Sequence, residues 1–215
     1  MPIDTFLRIA EDKRNLILSE GLSEFSRHSY QEANTDVITK NCGISKGSLY
    51  HYFVSKKQFY LYLVGHCLNI YRKVHDTPPQ GENFYGLLFS SLCAKLHFVK
   101  DHPLETAFLA LAAREGSGEV AKEKNKLLRD AMGADEMTFR KTLREALLRL
   151  PLKSSIDPEQ AIKGITLYAS AIREDMLRNY QGMPEMLYEQ EEPLKQELKQ
   201  SLDLMLYGIL KEEAK

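Results

Sequence analysis

The stretch from residue 33 to 56, ANTDVITKNCGISKGSLYHYFVSK, gathers side chains suited to a phosphate-lined groove. Ser45 brings a hydroxyl, Lys46 a mobile positive charge, and Ser48 a hydroxyl that can reach a base edge. Tyr50, His51 and Tyr52 add donors and rings, and Lys56 follows where a second phosphate could be clamped. Gly47 removes a side chain from the middle of the run. A glycine inside a helix costs about 1 kcal/mol relative to alanine, so its presence points to a backbone that must approach something closely. The plainer reading of the same residues is an ordinary surface helical hairpin.

Two short helices around a glycine turn would position these groups. Asn34 can cap the first, with Asp36 in its first turn favouring the positive end of the helix dipole and Ile38 and Cys42 on one face. Gly43 turns the chain, Ile44 anchors it, and Ser45 caps the second helix. A helix from Lys46 to Tyr52 is too short to be stable alone, so Leu49 and Phe53 must pack inward and leave the outer face free. Asn34 and Thr35, at the start of the first helix, complete the candidate DNA contacts, which are Asn34, Thr35, Ser45, Lys46, Gly47, Ser48, Tyr50, His51, Tyr52 and Lys56.

From Ile17 to Phe59 the chain resembles the N-terminal domain of the TetR family of bacterial transcriptional repressors. The family's first-helix pattern, I-L-x-x-A-x-x-x-F-x-x-x-G-Y, is matched by Ile17, Leu18, Gly21, Phe25 and Tyr30. Its recognition segment, G-[VI]-S-K-G-x-L-Y-x-x-F-x-[ST]-K, is matched by Gly43, Ile44, Ser45, Lys46, Gly47, Leu49, Tyr50, Phe53, Ser55 and Lys56. Gly21 stands where the pattern has alanine, Ser29 where it has glycine, and Thr39 where a small apolar residue is usual; none of the three removes a DNA-contacting group. The resemblance implies an all-α fold of about nine helices. A three-helix helix-turn-helix domain would span 1–55, and a larger helical regulatory and dimerisation domain 56–215, entered through a connecting helix over 56–76.

Composition agrees with a folded globular chain: 215 residues, 43% hydrophobic, with no long polar tract. Net charge is −1, and residues 1 to 60 carry eight Lys and Arg against seven Asp and Glu, so there is no broad basic field. DNA affinity would have to come from local placement of Lys46, Lys56 and helix N-termini, doubled in a dimer. Cys42, Cys67 and Cys93 are odd in number and lack zinc-site spacing, which speaks against a disulfide framework. The N-terminus holds Asp4, Glu11 and Asp12 rather than a signal sequence, and no window reaches the roughly 18 apolar residues of a membrane span. These features predict a soluble, cytoplasmic protein without metal or cofactor.

Beyond the hairpin, helical periods alternate with turn signals. Helices are predicted from about Lys56 to His75 behind a Ser55 cap, from Glu82 to Lys100 after the Pro78-Pro79-Gln80-Gly81 break, and from Pro103 to Ala113. A long stretch to Leu150, kinked near Gly133, comes next. Asp157-Pro158 then opens a helix ending near Gly182, and a last one starts near Pro193.

The last two helices are apolar over a wide arc. Either their own bundle wraps them or a partner chain does, and the resemblance favours a homodimer, with Ile165, Ile172, Leu198, Leu202, Met205 and Ile209 as interface candidates. The resemblance also implies a ligand cavity among the middle helices. Phe84, Leu88, Phe108, Tyr168 and Ile172 are the candidate lining for an apolar or flat aromatic effector, although the same residues would serve simply as core. His97, His102, Cys93 and Arg173 could add polar contacts. No HExxH, GxSxG, P-loop or strand-borne GxGxxG is present, so catalysis is not expected. The reading is a homodimeric repressor released from a palindromic DNA operator by a small molecule. The alternative is an all-helical ligand-binding or adaptor protein of the same fold without specific DNA reading.

Overall fold

A computed structural model describes residues 4–75, 83–179 and 191–209, apart from the side chains at 74, 75, 92, 96, 132–138, 173, 174, 176–179, 191, 194, 208 and 209. The predicted breaks at Pro78–Gly81 and Gly182, and the side chains of Arg173 and Ile209, therefore lie outside the described residues. The protein is all-α. The helices are α1 (Asp4–Arg8), α2 (Glu11–Arg27), α3 (Thr35–Cys42), α4 (Lys46–Phe53), α5 (Lys56–His75), α6 (Phe84–Asp101), α7 (Pro103–Arg114), α8 (Ala121–Leu147), α9 (Pro158–Asn179) and α10 (Glu191–Ile209). Helix α1 was not expected: five residues are too few for a period to show.

The chain divides into two compact units, one of Met1–Asp76 with Asp101–Gly133 and one of Thr77–Lys100 with Ala134–Lys215. The first unit runs past residue 55, because α5 and α7 pack on α2. Its core is aromatic. Phe25 meets Tyr60 at 5.1 Å, Phe59 at 6.2 Å and Phe108 at 6.4 Å between ring centroids, and Phe53 meets Phe59 at 4.5 Å. Tilted and edge-on rings of this kind contribute about 0.5–1.5 kcal/mol each beyond the area they bury. Phe6 of α1 is fully buried against Tyr52 (5.7 Å), Phe53 (4.6 Å) and Tyr62 (5.7 Å), which fastens the N-terminal helix to the back of α4. Gly21 lets α2 come close to α5, since a Cβ there would lie 2.5 Å from Phe59 Cζ.

The second unit packs Phe84, Leu87 and Leu88 of α6, Leu143 and Leu147 of α8, Ile162 and Ile165 of α9, and Leu198, Leu202 and Leu206 of α10 into one core. Asp157 caps α9 as expected, its Oδ1 accepting from the Glu159 N–H at 3.0 Å. Tyr85 of α6 donates to Asp203 of α10, whose other oxygen accepts from Lys199 at 2.6 Å.

Candidate nucleic-acid interface

The α3–α4 hairpin is built by local rules. Asn34 Oδ1 accepts from the Asp36 N–H at 2.9 Å and caps α3. Gly43 ends α3 in the left-handed region at φ 59°, which glycine adopts without a Cβ penalty. Lys13 Nζ donates to the Cys42 carbonyl at 2.6 Å and neutralises the same helix end. Ser45 Oγ accepts from the Ser48 N–H at 3.0 Å and caps α4. Leu49 and Phe53 are fully buried, so the opposite face of α4 points outward as the sequence requires. Cys42, the thiol in this hairpin, is buried and its pKa is pushed up to about 11 by that burial, so it stays protonated and unreactive.

The outward face carries five of the ten candidate contacts in the open: Asn34, Ser45, Lys46, Gly47 and His51 are exposed. A Cβ at Gly47 would meet only Ser45 Oγ, at 3.6 Å, so no neighbour among the described residues requires this glycine. Lys46 pairs with Asp36, Nζ lying 2.9 Å from Oδ1 and 3.0 Å from Oδ2, and this hydrogen bond holds the ammonium pKa above its usual value. Asp36 thus aims Lys46 across the hairpin, a role beyond the helix-dipole one read from sequence.

The other five candidates are placed differently from what their type suggested. Thr35 is only 5% exposed, and its hydroxyl sits 3.0 Å from the Tyr50 hydroxyl, so these two residues tie α3 to α4. Tyr52 is half-buried as part of the Phe6 cage. Lys56 is half-buried, and its ammonium donates to the carbonyls of Ala33 at 2.6 Å and Gln31 at 3.1 Å while lying 5.1 Å over the Tyr30 ring. Burial lowers its pKa. The lysine expected to clamp a phosphate is clamping the turn before α3. Ser48 is half-buried at the edge of the open face.

Sequence reasoning missed Phe6, the Asp36–Lys46 pair, and a set of residues that hold Tyr30: Glu115, Glu119 and the buried Lys124. Only the spacing of Glu115, Glu119 and Glu123, four residues apart, hinted at an acidic face.

In the second unit, a cavity of about 40 Å³ is lined by Leu88, Ser91, Lys95, Phe139, Thr166, Ala169, Ser170 and Leu198. Leu88 alone among the five ligand candidates lines it. Phe84 is buried core, Tyr168 and Ile172 pack at the edge of that core, and Phe108 lies in the first unit, enclosed by Phe25 and Tyr60 at 6.4 and 5.4 Å. Typical ligand pockets are about 300–1,000 Å³, so this volume holds little more than water. Of the interface candidates, Ile165, Leu198 and Leu202 are buried inside their own unit, and Met205 and Ile172 pack against them. Among the described residues, the large apolar side chains that α9 and α10 present outward are Leu167, Leu204 and Tyr207, at 63%, 78% and 53% exposure.

The sequence model described as bacterial regulatory proteins, tetR family, matches residues 17–63, the segment that contains α3, α4 and the start of α5. Over 55 residues the chain is 36% identical to the HTH-type transcriptional regulator UidR of Escherichia coli K12, a match covering 26% of this chain and 28% of UidR. A TetR family transcriptional regulator from Chloroflexus aurantiacus J-10-FL superposes with a TM-score of 0.74 at 20% identity, over 98% of this chain and 99% of that one. The ketosteroid transcriptional regulator KstR2 of Mycobacterium tuberculosis gives a TM-score of 0.60 at 17% identity, over 95% and 98%. The family's sequence signature thus lies on the capped hairpin, over residues 17–63, and the chain has the fold of TetR-family regulators over nearly its whole length.

Proposed function

We propose that the protein is a DNA-binding transcriptional repressor that reads a palindromic operator as a homodimer and leaves it when a small apolar or aromatic ligand binds. The observation that carries this reading is the outer face of α4: a glycine with open space beside it, flanked by an exposed lysine and serine at the positive end of the helix. A helix without a partner gains nothing from such a glycine, whereas a helix seated in a groove gains closeness of approach. The same feature disfavours an adaptor that has lost DNA reading.

Two α4 helices must be held about 34–36 Å apart to read successive half-sites, which calls for a dimer. Leu167, Leu204 and Tyr207 supply an apolar face on α9 and α10 for it. The effector reading rests on the small cavity under Leu88 and Phe139, which has to enlarge to take a ligand. KstR2, by its name a ketosteroid regulator, shares the fold and favours a flat apolar compound.

Selection of duplexes from a randomised pool, followed by a gel-shift titration against salt, tests the proposal. An enriched palindrome is expected, and Lys46→Ala should lower the slope of log K against log salt by about 2, one counterion per protomer. Failure to enrich any sequence would leave the adaptor reading standing.

A further inference from the structure

The turn that leads into α3 is gripped from far along the chain. The Tyr30 N–H donates to Glu115 Oε2 at 2.7 Å and the Tyr30 hydroxyl donates to Glu119 Oε1 at 2.7 Å, so one residue is held at its backbone and at the tip of its ring. The ring between these points is buried, stacked on Phe25 at 6.5 Å and edge-on to Tyr60 at 5.2 Å. Glu115 is itself fixed: its other carboxylate oxygen accepts from the Ser117 N–H at 2.7 Å, and its carbonyl accepts from Lys124 Nζ at 2.7 Å. Lys124 is 1% exposed and also holds the Ala112 carbonyl at 2.7 Å, so the end of α7 and the start of α8 are joined through one buried ammonium.

We propose that Glu115 and Glu119 are positioning residues for DNA reading, setting where α3 begins and hence how α3 and α4 are presented. The inference rests on the DNA-reading role proposed above. Four residues lie between Tyr30 and the first residue of α3, and that short span has two further ties, Lys56 on the carbonyls of Gln31 and Ala33 and Glu24 on the Asn34 N–H at 2.7 Å. Asn34 is the α3 cap, so a displacement of Tyr30 reaches the cap directly. The holding groups are carboxylates, whose hydrogen bonds are shorter and about twice as strong as neutral ones. Buried aromatic packing would suffice to keep Tyr30 folded; two charged acceptors at its two polar ends fix its position as well.

The test uses the full chain and a duplex that the wild-type protein has enriched from a randomised pool, at a temperature where circular dichroism shows each variant folded. Tyr30→Phe deletes the Glu119 bond and leaves the ring in place; Glu115→Ala removes the acceptor for the Tyr30 amide; Glu115→Gln restores a carbonyl oxygen there. Affinity is expected to fall about fivefold in Tyr30→Phe and about tenfold in Glu115→Ala, and to return to within about twofold of wild type in Glu115→Gln. A purely stabilising role would lower the melting temperature and leave the affinity of the folded protein untouched. If Glu115→Ala does not fold, Tyr30→Phe decides. Folded variants that bind the enriched duplex as tightly as wild type overturn the positioning role while leaving DNA reading intact. A wild-type protein that enriches no duplex removes both.

Discussion

Two helical glycines in the first unit serve opposite ends. At Gly21 an added Cβ would lie 2.5 Å from Phe59 Cζ and 3.0 Å from Leu63 Cδ1, both fully buried; at Gly47 it would meet nothing closer than 3.6 Å. Both pay the same helix penalty relative to alanine, about 1 kcal/mol. The first is offset inside the molecule by the close approach of α2 to α5. The second has no return within the chain, and its return is placed in a complex. What its missing side chain would touch therefore separates Gly47 from Gly21; Gly65 of α5 is as open as Gly47, and it is the exposed place of Gly47 beside Ser45 and Lys46 at the start of α4 that directs it to a complex.

The comparison breaks most easily at Gly47. Gly47→Leu should weaken binding to the enriched duplex by about a hundredfold or more, about 2.7 kcal/mol, while the melting temperature stays level or rises. A titration paired with a thermal melt checks this, and unfolding of the variant would assign Gly47 to packing. Gly21→Ala should do the reverse. Crowding against Phe59 costs about 1–3 kcal/mol against a helix gain of about 1 kcal/mol, so urea unfolding should show a net loss of up to about 2 kcal/mol with little change in the affinity of the folded protein.

Val54 sharpens the contrast from the other side. It sits at φ 67° and ψ −43°, with the Ser55 N–H donating to the Phe53 carbonyl at 2.7 Å, a strained γ-turn occupied by a β-branched residue that is 67% exposed. Val54→Gly should stabilise the fold by about 0.5–1 kcal/mol, measured by the same unfolding curve; a loss would mean that the valine side chain contributes more than its backbone costs.

The smallest effect is on acidification of α5, the helix whose Phe59 and Leu63 crowd Gly21. Burial lowers the pKa of His66, opposed by Glu105 and reinforced by Lys73. The folded protein thus takes up this proton less readily than the unfolded chain, so the stability His66 contributes is full above about pH 6.5 and is lost as pH falls toward its lower folded value. His66→Gln should flatten the acid limb of a melting-temperature profile; equal slopes for both proteins would count against its burial.

What the sequence revealed was whatever a few neighbours decide. Asn34, Ser45 and Asp157 cap their helices, Gly43 adopts its left-handed turn, and Leu49 and Phe53 face inward, all from signals within four residues. What the sequence did not reveal are partners far along the chain or across the hairpin. Lys56 and Tyr50 carry the chemistry of DNA contacts, but carbonyls at 31 and 33 and the Thr35 hydroxyl occupy their polar ends. The bracket on Tyr30 spans 85 and 89 positions, for which no local pattern exists. On α9 and α10 the most regular apolar stripe belongs to the unit's own core, so periodicity selected Ile165, Leu198 and Leu202, and the outward side chains lie at Leu167, Leu204 and Tyr207.

Phe6 has a consequence for the order of assembly during synthesis. The ring at position 6 finds its cage only when Tyr52, Phe53 and Tyr62 exist, so α1 leaves the ribosome before the residues that hold it and finds its place in the first unit only after them. Closing that long loop costs entropy before any ring contact offsets it. Until residue 62 is clear of the exit tunnel, α2 and the Asn34-capped α3 can form while the back of α4 stays uncovered. The nascent chain therefore exposes an aromatic patch whose cover was made earlier and arrives late.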